Sequence, residues 1–439
     1  MSSDLIAHRV AATRLNRTRW TQLAAGVICM MAISSPQYVW TLFTGPMTQK
    51  LGVSLAEIQV TFSILIVLQT FFSPLQGYLA DRFGLRRLIA IGCALTGLSW
   101  MLASQATSLS AFYLTYGLLG GLGTGIVYIG TVGLMVRWFP DRRGFAVGAV
   151  AAGYGFGAML TTFPISHSLS AAGLESTLIT FGLIIGIVGL VASQCLRMPP
   201  RTLQEKQPAV TAKASSVPDT APRQMLKTPV FWLMFAMFTM MSTSGLMVIS
   251  QMASFAEDFG MTNVAIFGMA AVPLALSIDR ICNGLTRPLF GWISDRFGRE
   301  NTMGLAFLLE GIAMMVWLNT SDSPVLFVLL SGIVFLGWGE IFSLFPSTLT
   351  DTFGTRHATT NYGFLYMAQG IGAIIGGPAA ALLHQYTGSW TPIFSIAIGC
   401  DILTAVLALC VLKRMRQRWL QRQETGVERG VMPRLQMVQ

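Results

Sequence analysis

Uninterrupted apolar stretches of about 20 residues recur along this chain, each long enough to cross a hydrocarbon core about 30 Å thick as a helix. Read with their glycine, proline and charged breakers, they predict spans near 20–44, 55–80, 88–105, 110–136, 144–167 and 174–196. A second set is predicted near 229–256, 264–294, 301–319, 324–350, 359–384 and 390–412. Backbone groups in lipid have no water to bond, and closed helices satisfy them internally. The alternation that an outer-membrane barrel needs is missing. The expected fold class is an all-α membrane protein of twelve transmembrane helices. The first apolar run follows Arg14, Arg17 and Arg19 as a secretory signal would. At about 25 residues it exceeds an h-region, so it is read as the first helix.

The polar positions divide the chain. Residues 197–227 hold Pro199, Pro200, Pro208, Pro218 and Pro222 with Ser215 and Ser216, and read as a cytoplasmic linker. They separate an N-terminal six-helix half with its cytoplasmic tail (1–196) from a C-terminal half (228–412). A basic cytoplasmic tail (413–439) follows, with Lys413, Arg414, Arg416, Arg418 and Arg422 suited to anionic headgroups. The halves repeat: Gly77-Tyr78-Leu79-Ala80-Asp81-Arg82-Phe83-Gly84 recurs 214 residues later as Gly291-Trp292-Ile293-Ser294-Asp295-Arg296-Phe297-Gly298. Both copies close the second span of their half. Two pseudo-symmetric six-helix halves meeting at a midplane cavity are the architecture this implies.

Composition agrees with lipid as the solvent. Of the 439 residues 53% are hydrophobic and 11% charged, against roughly 25% charged in a soluble domain. The net charge of +10 reports topology and not nucleic acid. All but three of the 29 Lys and Arg fall in the tails and in every second loop, the exceptions being Lys50, Arg280 and Arg287. That bias places both termini in the cytoplasm of a multi-pass protein of the cytoplasmic (inner) membrane. The six cysteines lack metal-ligand spacing and read as packing residues. No cofactor or metal is expected.

Four groups of residues carry candidate chemistry. In the repeated loop, Asp81, Arg82, Asp295 and Arg296 are expected to bridge neighbouring helix ends as a cytoplasmic gate. Glycines crowd the fourth, fifth and eleventh spans, where small residues let helices pack closely and slide. The eighth span carries Asp279, Arg280, Asn283 and Arg287, which at 100° per residue fall within an arc of about 100°. Charges in lipid cost roughly 2.5–3.5 kcal/mol on insertion scales and point to function. Arg287 has no acid one turn away and reads as an anion ligand, a guanidinium fork matching a carboxylate. Arg280 either pairs with Asp279 or joins the substrate. Glu340, beside Trp338, either carries a proton or balances an arginine, and Glu310 and Asp401 are further intramembrane acids. Finally Gln37, Tyr38, Trp40, Tyr128, Tyr154, Trp338 and Phe342 recur in helices expected to face the cavity.

Several stretches together resemble the oxalate:formate antiporter family of the major facilitator superfamily, neighbours of the monocarboxylate transporters. They are Gln37-Tyr38-Val39-Trp40-Thr41-Leu42, Arg137-Trp138-Phe139-Pro140-Asp141-Arg142-Arg143-Gly144, Ala152-Gly153-Tyr154-Gly155, Asn283-Gly284-Leu285-Thr286-Arg287-Pro288, Leu344-Phe345-Pro346-Ser347 and Asn361-Tyr362-Gly363-Phe364. The resemblance implies that Arg287 is the substrate-binding arginine. It also implies that Gln37, Tyr38, Gln59, Tyr128, Tyr154 and Trp338 line an occluded cavity. The chain departs from the family's oxalate exchanger in four places: Gln369 stands for a lysine, Phe342 for a tyrosine and Glu340 for a glycine, and the Asp279-Arg280 pair is added.

The expected function is secondary transport of a small carboxylate (formate, oxalate or another short organic acid) by alternating access, in a chain acting as a monomer. Anion exchange is one mode, and proton-coupled monocarboxylate symport through Glu340 is the other. A drug efflux carrier is disfavoured because the fifth span lacks the proline of that group's glycine-proline signature, although Gly376-Gly377-Pro378 occurs in the eleventh. A non-transporting sensor has no signalling domain to support it. An enzyme has no nucleophile–base or metal constellation.

Overall fold

The apolar runs form helices whose ends follow local chemistry. Ser54 and Glu57 close a capping box at the start of Leu55–Thr70, satisfying donors that a helix N-terminus leaves open. Gly84 and Gly298, the last residues of the two repeated motifs, turn the chain with φ of 96° and 92°, a region that glycine enters without a Cβ penalty. In the computed structural model, residues 2–200, 219–261, 264–266, 269–320 and 323–428 are described. Most of the expected linker (201–218) and the end of the basic tail (429–439) lie outside the described residues.

Among the described residues, eight helices are long and apolar enough to cross a membrane, ten if two bent pairs each count as one crossing. The bent pairs are Asn16–Tyr38 with Trp40–Leu51 (46°) and Glu57–Thr70 with Ser73–Phe83 (47°). Pro74 opens the helix after the second break, and Pro36 lies three residues before the first; a missing N–H and a bulky ring weaken the helix at such places. The 53-residue helix Arg143–Cys195 breaks at Gly173 (φ 79°) and makes two crossings, the fifth and sixth. Ala271–Phe297 is the eighth, a helix of 27 residues whose apolar run is interrupted by Asp279, Arg280 and Arg287. Among the described residues that makes twelve crossings in an all-α membrane fold; the even number returns the start of the first and the end of the twelfth to one face, called here the terminal face.

One predicted boundary moves. The eighth span was expected from 264, but Ala265–Ile266 and Met269–Ala270 pair as a small antiparallel hairpin. The helix starts at Ala271, with Pro273 in its first turn, where proline is tolerated.

The halves meet backbone to backbone at two equivalent crossings. A Cβ on Gly77 would strike the backbone of Thr359 and Thr360, and one on Gly291 would strike that of Gly144. This is the physical reason the repeated motif opens on glycine. Hydrogen bonds between the halves, among the described residues, run from mid-membrane to the terminal face: Ser73 to Gly363, Arg137 to Thr359 and Arg143 to Asp351. That face is shut.

Candidate functional site

Arg287 lies ten residues from the terminal-face end of its helix, about 15 Å in. Its side chain is 2% exposed. Gly148 lets the fifth crossing pass directly over the Arg287 carbonyl, so the guanidinium reaches into the other half. There Nη1 donates to the Ala151 carbonyl at 2.6 Å. Nη2 donates to Asn283 Oδ1 on its own helix at 2.8 Å. The guanidinium sits 4.7 Å from the centre of the Phe342 ring, a cation–π contact. Nε is buried with no hydrogen-bond partner, and Arg287 forms no ion pair among the described residues. The guanidinium is thus held by a carbonyl, an amide and a ring, with no carboxylate against it among the described residues.

Tyrosines from four crossings surround it. Tyr128 stacks on Tyr366 at 4.9 Å and meets Tyr154 edge-on at 5.5 Å. Tyr38 meets Tyr154 at 5.4 Å and Tyr362 packs on Tyr366 at 5.6 Å. The Tyr154 hydroxyl donates to Gln37 Oε1 at 2.7 Å and accepts from Gln69 Nε2 at 3.2 Å. The bends of the first two crossings place those glutamines there. The buried Tyr128 hydroxyl lies against Tyr362 and Tyr366, and Asn283 Nδ2 and Gln69 Oε1 are buried without a partner. Such groups are costly unless a ligand or water meets them. The arrangement is a cation in an aromatic box with spare donors, suited to a small planar anion.

Other candidates stand further off. Trp338 packs edge-on against Phe342 at 5.6 Å and donates Nε1 to the Met241 carbonyl at 3.0 Å, so its donor is used in the wall. Gln369 lies one turn beyond Tyr366, its Oε1 buried without a partner. Gln59 accepts from Trp40 Nε1 at 3.0 Å, and at ten residues before Gln69 it stands about 15 Å from that layer. Asp279 is buried while Arg280 is exposed, and no ion pair joins them. Consecutive helix positions point 100° apart, and that separates the two. Glu340 is fully buried and turns away from the box into the second half, toward Thr286. Gln69, Tyr362 and Tyr366 complete the box, although the sequence reading assigned them no site role.

The terminal-face latch is built on the two aspartates of the repeat. Asp81 accepts from the Thr360 N–H and hydroxyl (3.0 and 2.7 Å), and Asp295 accepts from the N–H groups of Gly144 and Phe145 (both 2.9 Å). Each thus crosses to a helix N-terminus of the other half, where the dipole favours negative charge. Their arginine partners are Arg137 (to Asp81, 2.8 Å) and Arg299 (to Asp295, 2.7 Å). Arg82 and Arg296, expected in this role, are exposed and lie over the rings of Tyr78 and Trp292. The aspartate points inward, and the next residue, 100° round the helix, points out.

Near this latch, burial holds the His357 imidazole below its usual range, with Asp81 opposing and Arg356 adding to the effect. The folded protein therefore resists protonating it. Stability should be unchanged above pH about 6.5, the unperturbed value, and should fall as pH drops below it. Thermal unfolding of the detergent-purified protein between pH 7.5 and 5 checks this, and His357→Asn should flatten the acid side of the profile.

The family described as Major Facilitator Superfamily matches residues 23–281 and 271–438. The chain is 33% identical to the "Oxalate:formate antiporter" of Oxalobacter formigenes over 404 residues, covering 92% of this chain and 94% of that one. It is 25% identical to "Monocarboxylate transporter 13" of Bos taurus, covering 78% of this chain and 77% of the relative. Among solved structures, the proton:xylose symporter XylE superposes with a TM-score of 0.72 at 13% identity, over 92% of this chain and 99% of that one.

Proposed function

This chain belongs to the major facilitator superfamily and is a secondary transporter of that type; on that premise we propose that it carries small carboxylate anions by alternating access, Arg287 binding the carboxylate. The observation that carries the proposal is the Arg287 guanidinium, buried between the halves without a carboxylate partner and boxed by Tyr128, Tyr154, Tyr362, Tyr366 and Phe342. The relative named for oxalate and formate exchange supports the substrate class. The terminal face is cytoplasmic, as the distribution of Lys and Arg suggests, so the latch closes the path from the box to the cytoplasm across an inner membrane. One chain supplies both walls of the box, and a monomer suffices.

Selectivity turns on Gln369. A dianion whose second charge meets an amide in place of a cation loses the matching interaction. Purified protein in liposomes, assayed by counterflow of radiolabelled oxalate or lactate, should be inhibited more strongly by formate, acetate and lactate than by oxalate. Gln369→Lys should shift that preference toward oxalate by about tenfold, equivalent to about 1.4 kcal/mol. Failure of the wild type to exchange any of these carboxylates would remove the proposal.

A further inference from the structure

Glu310 on the ninth crossing, Glu340 at the break in the tenth and Asp401 on the twelfth cluster in the interior of the second half, off the Arg287 box. Each is at most 1% exposed. Glycines bring them together. Glu310 Cβ packs on Gly337, three residues before Glu340, and Asp401 Cβ packs on Gly311, the residue after Glu310. Glu310 is within electrostatic reach of both other acids. Counted from their helix ends at 1.5 Å per residue, all three sit roughly 15–20 Å deep, near the membrane midplane.

Burial without partners is the second observation. Both oxygens of Glu310, both of Asp401 and Oε1 of Glu340 are buried with no hydrogen-bond partner. Glu340 Oε2 has only the Thr286 hydroxyl, 3.5 Å away, and that hydroxyl also bonds the Leu336 carbonyl. From the seventh crossing Ser244 faces Asp401, and its hydroxyl also lies 3.4 Å from the Ala397 carbonyl. Cys400 adjoins Asp401 on the twelfth. From the eighth, the nearest cation is Arg287, one residue beyond Thr286, with its guanidinium turned to Ala151, Asn283 and Phe342. Three bare carboxylates here would cost several kcal/mol each, and groups so placed take protons instead.

We propose that Glu310, Glu340 and Asp401 form a proton-binding site of the second half, distinct from the anion site, whose loading accompanies anion movement. The coupling rests on the carboxylate reading above, and its sign follows from electrostatics. Bare Arg287 favours the charged form of Glu340. A carboxylate bound to Arg287 cancels that field and favours the protonated form, so anion and proton assist each other's binding, reciprocally by linkage. Each proton passes from water on one face to a carboxyl oxygen, and from it to water on the other. Thr286 and Arg287 are neighbours on one helix, and Gly339 packs closely on Thr286, so motion of the eighth crossing is felt at Glu340.

The test uses the full-length protein in liposomes with the membrane potential clamped, and radiolabelled oxalate and lactate as probes. With equal pH on both sides, counterflow reports the anion site alone. With an inward gradient of one pH unit, the wild type should accumulate probe up to about tenfold for one-for-one coupling. Glu340→Gln, Glu310→Gln and Asp401→Asn mimic protonated acids, and should keep counterflow while losing that accumulation. A wild type that exchanges probe but ignores the gradient, or variants that respond as the wild type does, overturns the proton site. A wild type that exchanges neither probe overturns the carboxylate reading instead. In that case, or where a variant loses counterflow as well, infrared spectra decide. The carbonyl stretch of buried protonated carboxyls should be present in the wild type and lessened in each variant, and identical spectra overturn the site.

Discussion

Replacing Arg287 with glutamine should abolish carboxylate exchange in liposomes while the protein stays folded. Arg287 is held by Ala151, Asn283 and the Phe342 ring, and among the described residues it is not part of an ion pair. Glutamine therefore removes a cation without stranding a carboxylate, the usual cause of collapse when one partner of a buried pair is lost. What disappears is charge. A substrate carboxylate in the aromatic box would then face amides and hydroxyls only, with its desolvation uncompensated. Charge-assisted hydrogen bonds are about twice as strong as neutral ones, and loss of the buried cation should cost at least about 3 kcal/mol, more than a hundredfold in exchange rate. Arg287→Lys separates charge from shape. Lysine keeps the cation but loses the planar fork that spans Ala151 and Asn283, so it should recover part of the rate and no more. Size-exclusion profiles and thermal midpoints near those of the wild type establish that the fold survives. Exchange by Arg287→Gln within threefold of the wild type would mean that the anion binds elsewhere.

The crossings were legible because each carries an apolar run bounded by charges or by glycine and proline, a signal independent of tertiary contacts. The exceptions have local causes. The fifth and sixth crossings join into one helix broken only at Gly173, and the eighth begins late because Ala265–Ile266 folds back on Met269–Ala270. Within the site, Arg287 was visible as a charge in lipid. The direction in which neighbouring side chains point is also encoded in their spacing. Trp338 and Phe342 lie 40° apart on a helix and share a wall, whereas Glu340, 200° from Trp338, has to face the opposite way. Tyr362, Tyr366 and Gln369 likewise share one face of the eleventh crossing by their spacing alone. The bends at Val39 and at Phe71–Phe72 carry no comparable signal beyond the prolines beside them, and they decide which of Gln37, Gln59 and Gln69 reaches Tyr154.

The latch shows where repeat symmetry informs and where it stops. Asp81 and Asp295 are related by the 214-residue repeat and do equivalent work, but the residues at positions 137 and 351, also related by it, are arginine and aspartate. In the first half Arg137 completes the pair with Asp81 and is further bonded to the Gly133, Thr355 and Arg356 carbonyls. In the second half Asp351 lies between Arg143, 2.5 Å away, and Arg299, 2.8 Å away. Only Arg143 belongs to the opposite half. Among the described residues, Arg143–Asp351 is therefore the ion pair that joins the halves, while Arg299 and Asp295 pair within one half.

Asp351→Asn should consequently act on the shut state and spare the open one. Shut, it leaves Arg143 buried at 6% side-chain exposure without a carboxylate, an imbalance that typically costs about 3–5 kcal/mol. Open, Arg143 regains water and the penalty vanishes. A bias of even 3 kcal/mol shifts the equilibrium more than a hundredfold toward opening on the terminal face, and a carrier trapped there cycles slowly. The measurement is labelling of a cysteine at Ala146, a buried position in the first turn of the fifth crossing, by an impermeant maleimide applied from the terminal side. Exposed Cys195 and Cys410 are replaced by serine beforehand. Labelling should accelerate at least tenfold in Asp351→Asn, with exchange falling in parallel. Asp81→Asn should have the smaller effect, because the carbonyls around Arg137 still receive its N–H groups. Equal labelling rates in the wild type and Asp351→Asn would mean that glycine packing at Gly77 and Gly291, and not the charge network, holds this face closed.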